Sequence, residues 1–414
     1  ACIANVIRVS LRYANMETIE NGYAISMLPL VSLAVEEYGD DPCELFRPKE
    51  ADEEFTENEQ LLMARMQKAI TIIQLKLEGQ VIQRQPQFQM EDRLLLDKID
   101  YEEGTVHLNG HTYPLLDTHL PTIDPQNPYE LSEKEHAVME KLSLSFKNSE
   151  RLQSHVRFLF SKGSMYLTYN NNLLYHGCIP MTKNGRLRHF TLDGNKHSPR
   201  EFMDRLEQLA RQGYFVNDEP AKKQYGLDTM WYLWSGSQSP LFGKDKMATF
   251  ERYFIEDPET HREEMNPYYD HRTKEKVIDD ILEEFGINPD EGHVINGHVP
   301  VKVTKGESPE KAGGKLLVID GGFAKAYQEQ TGIAGYTLIY NSYGLILAAH
   351  QPFESTQKAI EEEIDIHSET RILERNNQRI RVCDTDNGQE IQRKIDDLQK
   401  LLEAYRSGLI KELS

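Results

Sequence analysis

The sequence predicts an α/β protein, a β-containing core interrupted by largely helical segments. Three observations carry this. Apolar residues recur at helical spacing over 2–35 and again from Thr56 to about Val81, so the N-terminal part is mostly helical. Short apolar runs elsewhere end beside glycine, at His176-Gly177, at Gly297-His298 and at Asp320-Gly321-Gly322. An insert at about 186–290, opening on the polar, basic, turn-rich stretch Lys183–Asn195, separates the first of these runs from the other two.

Taken in order, Cys2, Ile3, Val6, Ile7, Val9 and Leu11 form one helical face, and a second helix is expected over Ala24–Glu37, ended by Gly39-Asp40-Asp41-Pro42. The acidic stretch Glu50–Glu59 leads into a long helix whose stripe is Leu61, Leu62, Met66, Ala69, Ile70, Ile73, Leu75 and Leu77. Asn109-Gly110 inside VHLNGHTY is a hairpin signal. Ser132 and Glu135 form a capping box opening a helix to about Ser143, and another helix covers Ser149–Ser161. Met165–Tyr169 and Leu173–His176 are a hairpin around three asparagines, a residue that tolerates left-handed backbone. Ser198-Pro199 starts a helix that Gly213 should stop, and Tyr225–Tyr232 and Thr273–Phe285 add two more. Strands follow at His293–Asn296, Lys315–Asp320, Tyr336–Tyr340 and Leu345–His350. The tail should be helical over Glu354–Glu374, a short strand over Arg379–Cys383, and helical again over Gly388–Leu409.

Composition narrows the partners. The chain has 414 residues, 47 Lys and Arg against 67 Asp and Glu, and a net charge of −20. That balance argues against nucleic acid and against anionic membrane surfaces, which need neutralising cations. It leaves a small phosphorylated substrate open, because a metal ion supplies local positive charge. Four scattered cysteines without a CxxC pair fit a reducing, cytoplasmic compartment. No apolar run reaches the ~18 residues of a membrane helix. The N-terminus carries no secretory signal, and a chain opening on Ala1 without Met is expected to be a fragment.

The three glycine-flanked run ends place His176, His298 and Asp320 where loops converge if their strands share a sheet. Imidazole and carboxylate from separate strands suit Mn, Fe or Zn. Each residue also has a plain structural role open to it: a packed histidine for His176 and His298, a turn cap for Asp320. Lys183, Arg186, Arg188, Lys244, Lys246, Arg252 and Lys302 are candidate anion contacts, with ordinary surface charge the competing role for each.

YHGCIP at 175–180 and INGHVPVK at 295–302 resemble the HG and GH elements of the calcineurin-like metallophosphatases. LLVIDGGF and YTLIYNSYGLILAAH fit that fold's closing strands. WYLWSGSQSPLFGK, MATFERYFIED, VINGHVPVK and VCDTDNGQEIQRKIDDLQKLLEAY are more closely similar to the class III fructose-1,6-bisphosphatases of Firmicutes-type bacteria, and this resemblance covers essentially the whole chain. The superfamily's DxH, GDxxDRG and GNHD motifs do not occur, so the resemblance implies a chain lacking that N-terminal segment.

The resemblance implies an α/β/β/α two-sheet core, incomplete at the N-terminus, with helical additions and a large insert. The expected division is core helices over 1–36, a mainly helical insert over 37–158, a core hairpin over 159–185, an insert or cap over 186–290, a core β region over 291–352 and a helical tail over 353–414. It implies hydrolysis of fructose 1,6-bisphosphate in gluconeogenesis by two-metal activation of water, with Mn2+ in a binuclear site. His176 and His298 would be ligands of one ion and Asp320 would support them. Lys183, Arg186, Lys244, Arg252 and Lys302 would be candidates for the substrate phosphates. The catalytic acid would lie in the missing segment, so no catalytic residue is assigned and this chain alone is expected to be inactive. A homo-oligomer is expected, without nucleic acid or membrane partners. Two alternatives stay open: a related metallophosphatase acting on another phosphoester, and a non-catalytic regulatory or assembly fragment.

Overall fold

The computed structural model describes residues 1–49, 55–320, 328, 330–352, 355–363, 368–376 and 378–411. Gly321, Gly322, part of the acidic stretch before Thr56 and part of the expected helix Glu354–Glu374 lie outside the described residues. The chain divides into two compact units, one of residues 1–164 and 189–266, the other of residues 165–188 and 267–414.

The first unit is helical. Helix α1 (Cys2–Arg12) buries Ala4, Ile7 and Leu11, and α2 (Leu28–Tyr38) buries Leu30, Leu33 and Ala34. α2 starts four residues later than Ala24, which has a positive φ of 55° and cannot sit inside a helix. Both helices pack on α3 (Glu57–Arg84), which opens with a capping box between Thr56 and Glu59. α3 is not the amphipathic helix its stripe suggested: Gln67, Lys68, Thr71, Gln74 and Lys76 are buried on its other faces. The two lysines are paired individually, Lys76 with Glu135 at 2.6 Å and Lys68 with Asp41 and Asp117 at 2.5 and 2.6 Å. Helices α4 (Glu133–Asn148) and α5 (Glu150–Lys162) follow, the former capped by Ser132 and Glu135 as expected and running past Ser143.

The predicted hairpin at Asn109-Gly110 joins strands 105–108 and 111–114. Helices α6 (Pro199–Phe215) and α7 (Pro220–Ser235) pack against each other, and α8 (Thr249–Phe254) adds Tyr253 stacked on Phe46 at 4.6 Å. Gly213 does not stop α6. A Cβ there would lie 2.6 Å from the Gly226 backbone of α7, so this glycine serves close helix approach.

The second unit is built on two sheets. β1 (Tyr166–Tyr169) and β2 (Asn172–Tyr175) form the asparagine hairpin, with Asn170 and Asn171 at φ of 48° and 57°. After the short helices α9 (Tyr268–His271) and α10 (Glu275–Glu284) come β3 (His293–Asn296), β4 (Glu310–Lys311) and β5 (Leu316–Val318). These strands make one sheet in the order β1-β2-β3-β5-β4, in which β2, β3 and β5 run parallel. β6 (Gly335–Asn341), β7 (Gly344–His350) and β8 (Ser368–Arg375) form a second, antiparallel sheet.

Side chains alternate across the first sheet. Ile295 and Leu317 meet Leu345, Leu338 and Leu373 of the second sheet in one apolar cluster, so the two sheets pack face to face. Helix α10 packs on β3 and buries Val277, Ile278, Ile281 and Leu282. The α/β architecture with a two-sheet core is therefore present.

The tail departs from expectation. Only Thr356–Glu361 of the expected helix Glu354–Glu374 is helical among the described residues (α11), and 368–375 is the edge strand β8. β7 supplies its ladder partners, which outweighs the strand's charge-rich composition. Such charged edges also discourage strand addition. Arg379–Cys383 is not a strand. Val382–Asp384 is a 3-10 turn in which Asp384 accepts from the Arg381 N–H at 2.9 Å. Helix α12 (Asp386–Arg406) closes the described chain, capped by Thr385.

Candidate metal centre

Register decides whether the three run ends meet. Tyr175 pairs with Asn296, and Asn296 with Val318, so β2, β3 and β5 finish side by side. His176 leaves the first strand, Gly297-His298 the second and Ile319-Asp320 the third, all at one sheet edge. The backbone ties these exits together. Gly297 N–H donates to the His176 carbonyl at 3.0 Å, Ile319 N–H to that of Asn296 at 2.9 Å, and Val301 N–H to that of Asp320 at 2.8 Å.

His298 adopts a φ of +68°, and Val299 N–H donates across it to the Gly297 carbonyl at 2.8 Å. This is a γ-turn of the strained, positive-φ form, rare for a non-glycine residue. Such strain persists only where the surroundings over-determine it. Here the turn directs the imidazole at its neighbour: Nδ1 of His298 lies 3.0 Å from Nε2 of His176, with the ring planes 74° apart. His176 is exposed and His298 half-buried. Asp320 is half-buried beside them, and a Cβ placed on Gly297 would touch its Oδ2 at 3.6 Å.

The floor beneath this edge is polar and buried. Asn296 is 2% exposed, and its Nδ2 donates to the Gly177 carbonyl at 3.1 Å and to the Tyr268 hydroxyl at 2.8 Å. The hydroxyls of Tyr268 and Tyr175 are 2.9 Å apart. Burial raises both phenols above their ordinary range, so they stay protonated, with the Tyr268 oxygen accepting from Asn296 Nδ2. Cys178 is buried and its thiol is pushed up to about 12 by desolvation, which keeps it neutral and unreactive. Asn296 and Tyr268 escaped sequence reasoning. The signal available for Asn296 was a polar residue ending an apolar strand directly before Gly297.

The donor chemistry suits a borderline metal such as Mn, Fe or Zn. Two imidazole nitrogens bound to one ion at about 2.1 Å, at right angles, would stand about 3.0 Å apart, which is the spacing of His176 and His298. The set is incomplete, however. Among the described residues no group of three or more His, Cys, Asp or Glu side chains could hold a metal ion. The pair fits as part of a coordination sphere.

The basic candidates fall into both units. Lys183 and Arg186 are exposed in a turn of the second unit, where the Lys183 carbonyl bonds the His271 ring at 3.0 Å. Lys302, also in that unit, is half-buried and its N–H donates to Glu307 at 3.1 Å. Lys244 and Arg252 belong to the first unit, and both pair with Glu263, at 2.8 and 3.3 Å.

Comparison with known proteins adds a family. A model described as Firmicute fructose-1,6-bisphosphatase matches residues 1–407. The chain is 58% identical over 412 residues to a class 3 fructose-1,6-bisphosphatase of Clostridium botulinum (strain Langeland), and 57% identical over 412 residues to one of Clostridium novyi (strain NT). It is 59% identical over 415 residues to one of Alkaliphilus metalliredigens (strain QYMF). All of this chain is covered in each case, and it spans 62% of the length of these relatives. No solved structure matches the chain.

Proposed function

Because the chain belongs to the Firmicute fructose-1,6-bisphosphatase family, we propose that it serves the hydrolysis of fructose 1,6-bisphosphate to fructose 6-phosphate and phosphate in gluconeogenesis. The observation that carries this reading is the approach of His176 to His298 at 3.0 Å across the ends of register-matched parallel strands. The ion we propose for them is Mn2+, in a binuclear site to which this pair would contribute part of one coordination sphere. A bound divalent ion supplies a Lewis acid and an activated water at neutral pH. The chain's own part is positional. The γ-turn at His298 aims one imidazole, the Gly297 to His176 backbone bond fixes the other strand exit, and the Asn296–Tyr268 pair holds both loops from below. Asp320, adjacent to Gly297, adds negative charge that favours a cation at this edge.

Lys183, Arg186 and Lys302 are the better phosphate candidates, because they share a unit with the histidines while Lys244 and Arg252 both pair with Glu263. We further propose a cytoplasmic homo-oligomer. All four cysteines are free thiols, and no described helix is long and apolar enough to cross a membrane. Helix α12 exposes Ile391, Ile395, Leu398, Leu402 and Tyr405, spaced alternately four and three residues apart. That is the seam of a two-helix coiled coil, which a second copy of the same helix would cover.

The test is a chimera in which this chain replaces the matching part of the Clostridium novyi relative. It should release phosphate from fructose 1,6-bisphosphate with Mn2+, and His176→Ala and His298→Ala should each lower the rate at least ~100-fold. Hydrolysis that survives both substitutions would sink the reading. With two imidazole donors brought together among the described residues, the 414 residues alone should turn over far below the ~1 s−1 of ordinary enzymes.

A further inference from the structure

At the end of the first sheet opposite the two histidines lies an acidic cavity of about 380 Å3, within the second unit. Asn172 and His293 line it, and they are the register pair that opens β2 and β3, as Tyr175 and Asn296 are the pair that closes them. At about 3.3 Å per residue, Asn172 and His176 stand roughly 13 Å apart. Five carboxylates line the cavity, those of Asp290, Glu291, Glu374, Asp384 and Asp386, and among the described residues no lysine or arginine does. Asp384 pairs beside it with Arg381 at 3.3 Å. The other four have no lysine or arginine at contact among the described residues. Glu291 accepts from Asn171 Nδ2 at 3.3 Å, Asp386 from the Asn170 N–H at 2.7 Å, and Glu374 lies 3.8 Å from the His293 ring. Burial holds the His293 imidazole below its ordinary 6.5, so it is neutral at pH 7 and offsets none of this charge. Helix α12 begins at the cavity, but Thr385 takes the Gly388 N–H at 3.1 Å and Asp386 sits in the first turn, which counters the positive helix end.

Acidic side chains around a hollow are ordinarily met by water and counterions. Here the wall adds a second, independent signal. Asn172 is 7% exposed; its Nδ2 donates to the Tyr169 and Asn170 carbonyls at 3.3 and 2.8 Å, while its Oδ1 is buried without a partner. The unmet group is an acceptor, and so are the carboxylates, so a ligand that completes them must donate. The frame around it is fixed. Asn170 and Asp386 exchange two hydrogen bonds, at 2.7 and 3.0 Å, which join the asparagine hairpin to the start of α12.

The donor must also be positive. A metal ion does not suit, because among the described residues no three His, Cys, Asp or Glu groups converge closely enough to hold one. Carboxylates spread around the hollow suit cationic groups spaced along a chain. Tyr340 and Ile380 give the same cavity an aromatic and an aliphatic wall, on which an ammonium and methylenes can lie. We propose that this cavity binds an aliphatic di- or polyamine, its ammonium groups donating to the carboxylates and to Asn172 Oδ1 and its methylenes packing on Tyr340 and Ile380. The site stands whether or not the chain serves the hydrolysis of a sugar bisphosphate.

The experiment titrates 1,4-diaminobutane and spermidine into the full chain at constant ionic strength, read by calorimetry and by thermal melting. Both should bind saturably and raise the melting temperature, spermidine the more tightly. Butylamine, with one ammonium, should bind about tenfold more weakly than the diamine. Glu374→Gln and Glu291→Gln should each weaken the diamine roughly three- to tenfold, and the double variant should abolish saturable binding. Arg381→Gln should act the other way and tighten it roughly threefold, because Asp384 is released. Asn172→Leu should weaken binding as well. Should that variant fail to fold, the two glutamate variants decide, since Glu291 is exposed and Glu374 half-buried. His176→Ala should change nothing, which separates this cavity from the metal-facing edge. An absent saturable response in the native chain, an undiminished one in the folded double variant, equal affinity for butylamine, or full displacement by Mg2+ at matched ionic strength overturns the proposal and leaves ordinary counterions as the occupants.

Discussion

Nε2 of His176 and Nδ1 of His298 stand 3.0 Å apart although 122 residues separate them in the chain. Each imidazole is therefore expected to depend on the other for metal affinity. Calorimetric titration with Mn2+ should show weak binding to the 414 residues, and His176→Ala or His298→Ala should remove it. Asp320→Asn should lower affinity less, because its charge acts from beside the pair. Unchanged binding in either histidine variant would exclude them as donors.

The backbone at His298 supplies a second prediction. With φ at +68°, a residue with a Cβ is strained where glycine is not. His298→Gly should be more stable than His298→Ala by about 1 kcal/mol, measured by urea unfolding, since both lose the imidazole and only one keeps the strain. Equal stabilities would mean that the turn relaxes.

Tyr268→Phe should cost about 1–3 kcal/mol, because Asn296 Nδ2 loses an acceptor and the Tyr175 hydroxyl loses a partner, all in buried surroundings. The same substitution should weaken Mn2+ binding without touching a ligand, as the floor under both histidine loops loosens. A melt and a metal titration on one sample check both effects.

Two groups set opposite ends of the acid stability profile. Burial raises the Glu251 carboxyl, but the bidentate Arg93, at 2.7 and 2.9 Å, pulls it net below its usual value. Its contribution is present above the unfolded value near 4.5 and is lost as pH falls through the lower folded value. His293 is depressed below 6.5 by burial, against the pull of Glu374 at 3.8 Å. The unfolded chain then binds this proton more readily, so stability should fall as pH drops below 6.5 and stay flat above it. His293→Gln should flatten the limb just below 6.5, and Glu251→Gln the limb below 4.5, in melting temperature against pH.

Leu398→Lys on the exposed seam of α12 should convert an oligomer to monomers by light scattering while leaving the melting of the body unchanged. A mass that does not change would discard helix pairing as the assembly contact.

Much of this was legible because it is local. Thr56, Ser132 and Ser198 with their glutamates three residues on set helix starts, and Asn-Gly sets a hairpin, by chemistry contained in four residues. The meeting of the three run ends was legible only on the condition that their strands share a sheet, which the register of β2, β3 and β5 supplies. Partnerships across the chain were not. Nothing near Asn296 announces Tyr268, nothing near Lys76 announces Glu135, and β8 is a strand because β7 lies beside it.

The interleaving of the two units bears on how the molecule is made. β2, which carries His176, leaves the ribosome 122 residues ahead of the histidine it faces. At 5–20 residues per second that is a wait of roughly 6 to 24 s. Throughout it Leu173 and Leu174 have no β3 to pair with, and the 189–266 segment is being synthesised in between. Nascent β2 thus has only β1 beside it, with its other edge open, for longer than most domains take to fold, and chaperone demand should peak in that interval.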